Sequence, residues 1–436
     1  MTARFLMGAL LTCSLLAACG EKDTRLPGER LDVRNGMTGA AEAPQPNRAP
    51  PLRLAAAVTN AEWAQRAGGA THNVAQPALA SSIAPVWTVN LGEGDGRRQR
   101  ITADPVVGGG LVYAMDARAK VSAVGLDGAV RWVRDLAPPG DAGSSSGGGL
   151  AFSDGKLFVS TDYGQVIALD ASTGATLWTQ ELGAAAGAAP TVAGGLVYVV
   201  ARDARAWAIN VSDGRVRWAL DGTPAQAAYG GGTGPAVTGS VAVLPFPSGQ
   251  VVAAYPRGGE QQWSSYVAGE RVAQAVGPIQ DISSDPVIDG GRVYVGNAVG
   301  RLEALDLGTG AEIWTADEGA VGPVWPAGGS IFIVSDNSEL MRLDARNGQT
   351  IWRVSLPGFV ASKERRQNAR FVHFGPVLAG GRLIVASSDG QIRSFDPVSG
   401  ALVSTVAVPG GATAAPAVAQ GMMFVVTTRG QLVAFR

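Results

Sequence analysis

PVIDGGRVYVGNAVGRLEALDLGTGAEIW, residues 286–314, carries the pattern that decides the fold. Val293-Tyr294-Val295 is a short run of β-branched and aromatic residues, suited to a buried strand. Gly290-Gly291 ahead of it predicts a tight turn from an earlier strand that Pro286 opens. A third strand follows Gly300 and ends in Ala304-Leu305-Asp306. Asp306 with Gly310 predicts a hairpin turn: the carboxylate bonds its own backbone and the glycine takes positive φ. Trp314 then marks a fourth, outer strand.

The same unit recurs in both directions. Copies begin at Pro105, Leu150 (in the Pro position), Pro190, Pro235, Pro323, Pro376 and Pro416. The closing position holds Trp132, Trp178, Trp218, Trp263, Trp314, Trp352 and then Ser404, spaced 38 to 52 residues apart, the length of one four-stranded propeller blade. Asp170 with Gly174, Asp344 with Gly348 and Asp396 with Gly400 repeat the turn pair, which makes these aspartates turn formers rather than metal ligands. Seven complete units start from Pro105, and an eighth stops at Phe435-Arg436 without its Trp strand. That strand stands at the other end of the repeats as Pro85-Val86-Trp87-Thr88-Val89. The expected fold is therefore all-β: an eight-bladed propeller of four-stranded antiparallel blades, its ring closed by an N-terminal strand that removes the free edges. The competing count is seven, with the weak Pro235 unit as a loop.

Ahead of the repeats, Arg4 precedes an apolar run from Phe5 to Leu16, too short at 12 residues to span a bilayer. With the small residues after it, this run predicts a secretory signal. Leu16-Ala17-Ala18-Cys19 resembles a bacterial lipobox, which implies a diacylated Cys19 as the mature N-terminus. Gly20, where inner-membrane lipoproteins carry Asp, implies an outer-membrane address facing the periplasm. Pro27, Pro44, Pro46, Pro50 and Pro51 lie among Ala, Asn, Gly and charged residues without apolar periodicity, as in a tether. The expected organisation is signal peptide 1–18, lipid-anchored tether 19–60, a non-repeat flap 61–82 whose Trp63 docks on the ring, and propeller 83–436. Cys13 leaves with the signal, so no internal disulfide is available and burial alone must hold the core.

Composition and motifs narrow the chemistry. Hydrophobic residues make up 46% and charged residues 16%, as in a compact globular protein, and the net charge of −1 gives no argument for nucleic acid. Only His72 and His373 are present, which leaves multi-histidine zinc sites and Ser-His arrangements poorly supplied. Gly143-Ser144-Ser145-Ser146-Gly147 matches a nucleophile-elbow string but lies in a Gly/Ser run where the elbow needs a strand and a helix. Gly149–Lys156 has Leu157 where a phosphate-binding loop needs Ser or Thr, and Gly92-Glu93-Gly94-Asp95-Gly96 opens no helix. Arg97-Arg98-Arg100 and Lys363-Arg365-Arg366-Arg370 are expected to be solvated loops between blades. We therefore expect no catalytic residue, no metal and no cofactor.

The Ala-Leu-Asp-x-x-Thr-Gly-x-x-x-Trp repeat resembles the pyrroloquinoline-quinone-type propeller repeat from Ile83 to Arg436. Quinone-dependent dehydrogenases share it, but they are usually longer, and many carry an adjacent cysteine pair that this chain lacks. The lipoproteins of the outer-membrane protein assembly factor B family share the lipobox, the tether, the short blades and the length. They also share a stretch similar to Gln274-Ala275-Val276-Gly277 through Asp281 to Pro286. This resemblance implies a non-enzymatic scaffold that binds the periplasmic POTRA repeats of the barrel assembly protein, alongside other assembly lipoproteins. In that family one contact loop carries Leu-x-Leu-Arg-Gly before the fourth unit; here it reads Ala227-Ala228-Tyr229-Gly230-Gly231, without the Arg. The second loop carries Asp-x-Asp before the fifth unit; here it reads Asp281-Ile282-Ser283. Tyr229, Gly230, Asp281 and Ser283 are the implied partner-binding residues, with an exposed Tyr and a nearby carboxylate forming one patch. A quinone-dependent enzyme and a periplasmic ligand-binding propeller are the alternatives.

Overall fold

Glycine pairs, aspartate turns and tryptophans shape most of the repeats as the sequence predicts. The computed structural model describes Asn47 and residues 49–140, 147–228, 230–269 and 279–436. Eight separate four-stranded antiparallel sheets are present, and seven of them run in chain order from the innermost strand outward. Blade one comprises Val106–Gly108, Leu111–Met115, Lys120–Gly125 and Val130–Asp135. The innermost strands of blades two to seven start at Gly148, Thr191, Ala236, Ile282, Trp325 and His373. The weak Pro235 unit is a complete fourth blade ending in Gln261–Tyr266.

Blade eight takes Ala417–Ala419, Met422–Val426 and Gln431–Phe435 from the C-terminus and Pro85–Asn90 from the N-terminal side. The closing strand pairs antiparallel with the last, Trp87 opposite Ala434 and Asn90 opposite Gln431. Middle strands such as Lys156–Thr161 bury nearly every residue, because neighbouring blades cover both of their faces. Outer strands such as Leu402–Ala407 alternate exposed with half-buried positions.

The Trp signature bonds six blades to the next, while Trp352 Nε1 makes no hydrogen bond among the described residues and Ser404 takes the indole's place in blade seven. Trp132 Nε1 donates to Ala171 O of blade two at 2.9 Å, and Trp178 does the same to Val211 O of blade three at 3.0 Å. Trp87 closes the ring with a 2.8 Å bond to Leu126 O of blade one. Apart from Trp263, each signature indole also packs on an aromatic of its own blade, as Tyr113 against Trp132 at 6.0 Å. The turn glycine lies beneath the preceding blade's indole. A Cβ on Gly174 (φ +71°) would stand 2.7 Å from the Trp132 ring, so backbone conformation and packing both require glycine there. Asp170 Oδ1 accepts the amides of Ser172 and Thr173 and both hydroxyls, which is a structural role for the repeated aspartate.

The segment before the ring departs from a simple flap. Asn60 bonds blade eight (Nδ2 to Val418 O, 2.8 Å), and Trp63 exchanges amide bonds with Val107 of blade one. Ala64 O accepts from Phe152 of blade two, and the Gln65 amide pairs with both main-chain groups of Val192 of blade three. Ala70 meets Val237 of blade four, and Thr71 meets Ile288 of blade five. Trp63 stacks on Trp325 of blade six at 6.4 Å, and Pro77 O accepts from Gly380 of blade seven. One lap thus touches the inner part of every blade before the chain enters the closing strand. Asn47 and residues 49–60, expected as tether, also lie against the ring. Asn47 bonds Ser399 O, Arg342 donates to Pro50 O, and Leu52 and Leu54 cover the core beside blades six to eight. Their apolar side chains and main-chain bonds give this stretch the partners that a free linker lacks. The lipobox, Cys19, most of the tether, Ser144–Ser146 and Gln274–Gly277 lie outside the described residues.

Candidate partner-binding face

In a propeller of this topology every connection from an outer strand to the next inner strand emerges on one face. The lap contacts the inner strands beside their first hairpin turns, and so closes the opposite face. Between them lies a cavity of about 570 Å³, lined on the loop side by Gly230, Ser283, Arg370 and His373 and at its floor by Arg66 and Asp104.

The floor is an ion cluster. Arg66 comes from the lap; its Nε sits 2.9 Å from Asp285 Oδ2 and 3.6 Å from Asp104 Oδ2. Asp285 is fully buried and also accepts Gly234 N at 2.6 Å, while Asp104 accepts Ala415 N at 2.8 Å. The cluster therefore ties blades one, four, five and eight to the lap. Burial opposes the charge on Arg66, but the two carboxylates outweigh it and raise its pKa. Burial pushes the Asp104 carboxyl up, against the pull of Arg66 and the Ala415 amide. His72, also from the lap, is pushed down by burial and holds Pro286 O at 2.8 Å through Nδ1.

The structure brings the two expected contact loops together. Gly230 and Ser283 line the same cavity, and Ala228 and Asp281 share an adjacent crevice. Gly230 is exposed, with nothing within 4 Å of where a Cβ would stand. Ser283 Oγ donates to Ala320 O at 2.7 Å. Tyr229 lies outside the described residues. Asp281, the carboxylate of that expected patch, is buried, only 4% exposed. The reason is local, since the inner strand of blade five starts at Ile282, ahead of Pro286, and draws Asp281 into the ring. Arg66, Asp104 and Asp285 were missed altogether. A signal existed: Asp104-Pro105 and Asp285-Pro286 put a carboxylate where the other unit-opening prolines follow Ala or Gly. Among the described residues no group of three or more His, Cys, Asp or Glu could hold a metal.

Eight blades of this repeat, closed by an N-terminal strand, define a propeller of the pyrroloquinoline-quinone type. The family model described as outer membrane protein assembly factor BamB matches residues 117–354 and 343–436, and the chain belongs to that family. It is 27% identical to the BamB of Yersinia pestis over 368 residues, covering 82% of this chain and 91% of that one. The crystal structure of BamB from Moraxella catarrhalis superposes with a TM-score of 0.68 at 17% identity, covering 81% of this chain and all of that one. The quinohemoprotein alcohol dehydrogenase of Comamonas testosteroni shares the fold, with a TM-score of 0.67 at 15% identity over 87% of this chain and 81% of that one.

Proposed function

We propose that this protein is a non-enzymatic scaffold of outer-membrane β-barrel assembly, held at the outer membrane by lipid on Cys19 and facing the periplasm. The loops before blades four and five bind the periplasmic POTRA repeats of the barrel assembly protein, and other assembly lipoproteins join the same complex. The observation that carries this reading is membership of the assembly-factor family across most of the ring. The dehydrogenase-like reading has fold similarity alone behind it. Affinity purification of the tagged lipoprotein from solubilised outer membrane tests the proposal. Recovery of the barrel assembly protein supports it, and a clean purification without any barrel-assembly component counts against it.

Two variants sharpen the test. Cys19→Ala should leave an uncleaved precursor absent from the outer-membrane fraction; ordinary processing of that variant would remove the lipid anchor from the proposal. At the loops, Gly230→Glu places a charged side chain in open space, so its melting temperature should match the parent's. Tyr229→Ala should cost roughly 2 kcal/mol of binding, as an aromatic anchor does. Both are read by titrating the purified periplasmic repeats, where Gly230→Glu should weaken binding at least tenfold. Parent-like affinity in both folded variants would move the contact elsewhere.

A further inference from the structure

The two basic stretches expected to be solvated loops lie on the same face as the contact loops, across the cavity from them. One is the 357–372 connection between blades six and seven. It folds into a hairpin, with Val360 N bonded to Ala369 O at 3.0 Å and Phe371 N to Gly358 O at 2.9 Å. Its tip is a short 3-10 turn, Glu364–Arg366. At its base Phe359, Val360 and Val372 are 44%, 57% and 44% exposed, an apolar group on a loop that solvation alone does not explain. The Arg370 guanidinium lies 5.5 Å over the Phe359 ring and reaches Asp336 O and Ser338 Oγ, which pins the hairpin to the ring.

The other stretch lies in the connection from blade eight to blade one, and hydrogen bonds join the two. Asp95 holds Arg100 and accepts from Thr413, and its amide bonds Thr428 O. Thr428 N bonds Gly411 O, and Ser388, beside Gly411, exchanges bonds with Val372. Along this sector Arg97, Arg98, Lys363, Arg365 and Arg366 are exposed and have no ion pair among the described residues. Among the described side chains the acids nearby are few: Asp95 is engaged, Asp389 is held by Arg393 at 2.5 Å, and Glu93 is outnumbered. A chain of net charge −1 therefore concentrates unpaired cations on one edge of one face.

We propose that this edge docks on an anionic lipid surface, the cations pairing with headgroup phosphates while Phe359 and Val360 enter the interface. Exposed apolar side chains ringed by Lys and Arg match the chemistry of such a surface. The occupant follows from the anchor, and this inference rests on the lipid-anchored reading above. Cys19 stands 28 residues before Asn47, a length of chain that reaches at most roughly 100 Å when fully extended. A ring confined within that reach meets the leaflet at a high effective concentration, so a modest affinity suffices.

The test uses the full mature chain with Cys19→Ser, which removes the lipid as a source of binding. The chain is floated with phosphatidylcholine vesicles containing or lacking half phosphatidylglycerol. Expected is co-flotation with the anionic vesicles only, declining as salt is raised. One cation near an anionic surface contributes about fivefold. The variant Arg97→Glu/Arg98→Glu/Arg365→Glu/Arg366→Glu should therefore lose well over tenfold while melting like the parent and still binding the periplasmic repeats. Phe359→Ser/Val360→Ser should lose less, but at all salt concentrations. No flotation, or flotation unchanged by charge reversal, overturns the proposal. Loss of a protein partner with no vesicle binding would assign the edge to an acidic polypeptide and equally overturn it. Failure of the lipid-anchor reading would show separately, in the processing of Cys19→Ala.

Discussion

Replacing Pro85–Asn90 by Gly and Ser of equal length is expected to abolish cooperative folding of the ring. The strand contributes little by area, since its side chains are exposed or half-buried, yet it completes blade eight from the N-terminal side and so pairs the two ends of the repeat array. Without it Gln431–Phe435 becomes an open edge, and the contact between blades eight and one loses the Trp87–Leu126 bond. It also loses the tilted packing of Trp87 on Phe424 at 5.9 Å and its cover over Gly128. Trp87→Ala alone should cost about 3 kcal/mol, at the low end for a large aromatic because the ring is half-buried. Losing the entire strand adds an opened interface, against a total stability of roughly 5–15 kcal/mol. Thermal unfolding followed by circular dichroism checks both variants. A parent-like, single-step melt of the replaced chain would show that the ring closes without its N-terminal strand.

That the ring was legible in the sequence follows from where its information lies. Gly174, Asp170 and Trp132 act on residues of their own or the adjoining blade, and the chain repeats the arrangement, so the chemistry of one turn is stated many times over. Even the closing strand could be found, because a missing Trp strand at Phe435 matched a spare one at Trp87. The lap over residues 58–82 had no such redundancy. Ala64, Ala70 and Thr71 bond the ring through main-chain groups, which leave no trace in residue type, and each contact occurs once. Of the contact loops, the neighbourhood of Gly230 and Ser283 followed from propeller topology. The burial of Asp281 did not, because it depends on how early one strand begins. Asp104 and Asp285 were visible only as departures from the repeat, and a departure has meaning only once its partner, Arg66, is located in space.

That partner makes the second large effect calculable in sign. Asp285→Ala should destabilise the protein by about 3–5 kcal/mol, because it strips a buried cation of its nearest counter-charge and leaves Gly234 N without an acceptor. Asp104→Asn should cost far less. Its carboxylate stands farther from Arg66, and burial already disfavours its charged form. The pH dependence separates the two. The folded-state pKa of Asp104 lies above its unfolded value near 3.8, so its contribution is fully present below that value and is lost as pH rises through the folded pKa. Asp104→Asn removes this loss, and its stability relative to the parent should therefore improve as pH rises from acid toward neutral. Arg66→Met/Asp285→Leu should recover most of what Asp285→Ala loses, since a buried pair exchanged for apolar groups is often neutral while a broken one is not. Denaturant melts of the parent and these variants at pH 4 and pH 7 decide the matter. If Asp285→Ala were as mild as Asp104→Asn at both pH values, Arg66 would be held by solvent in the cavity rather than by the ring, and the lap would not be fastened through its charge.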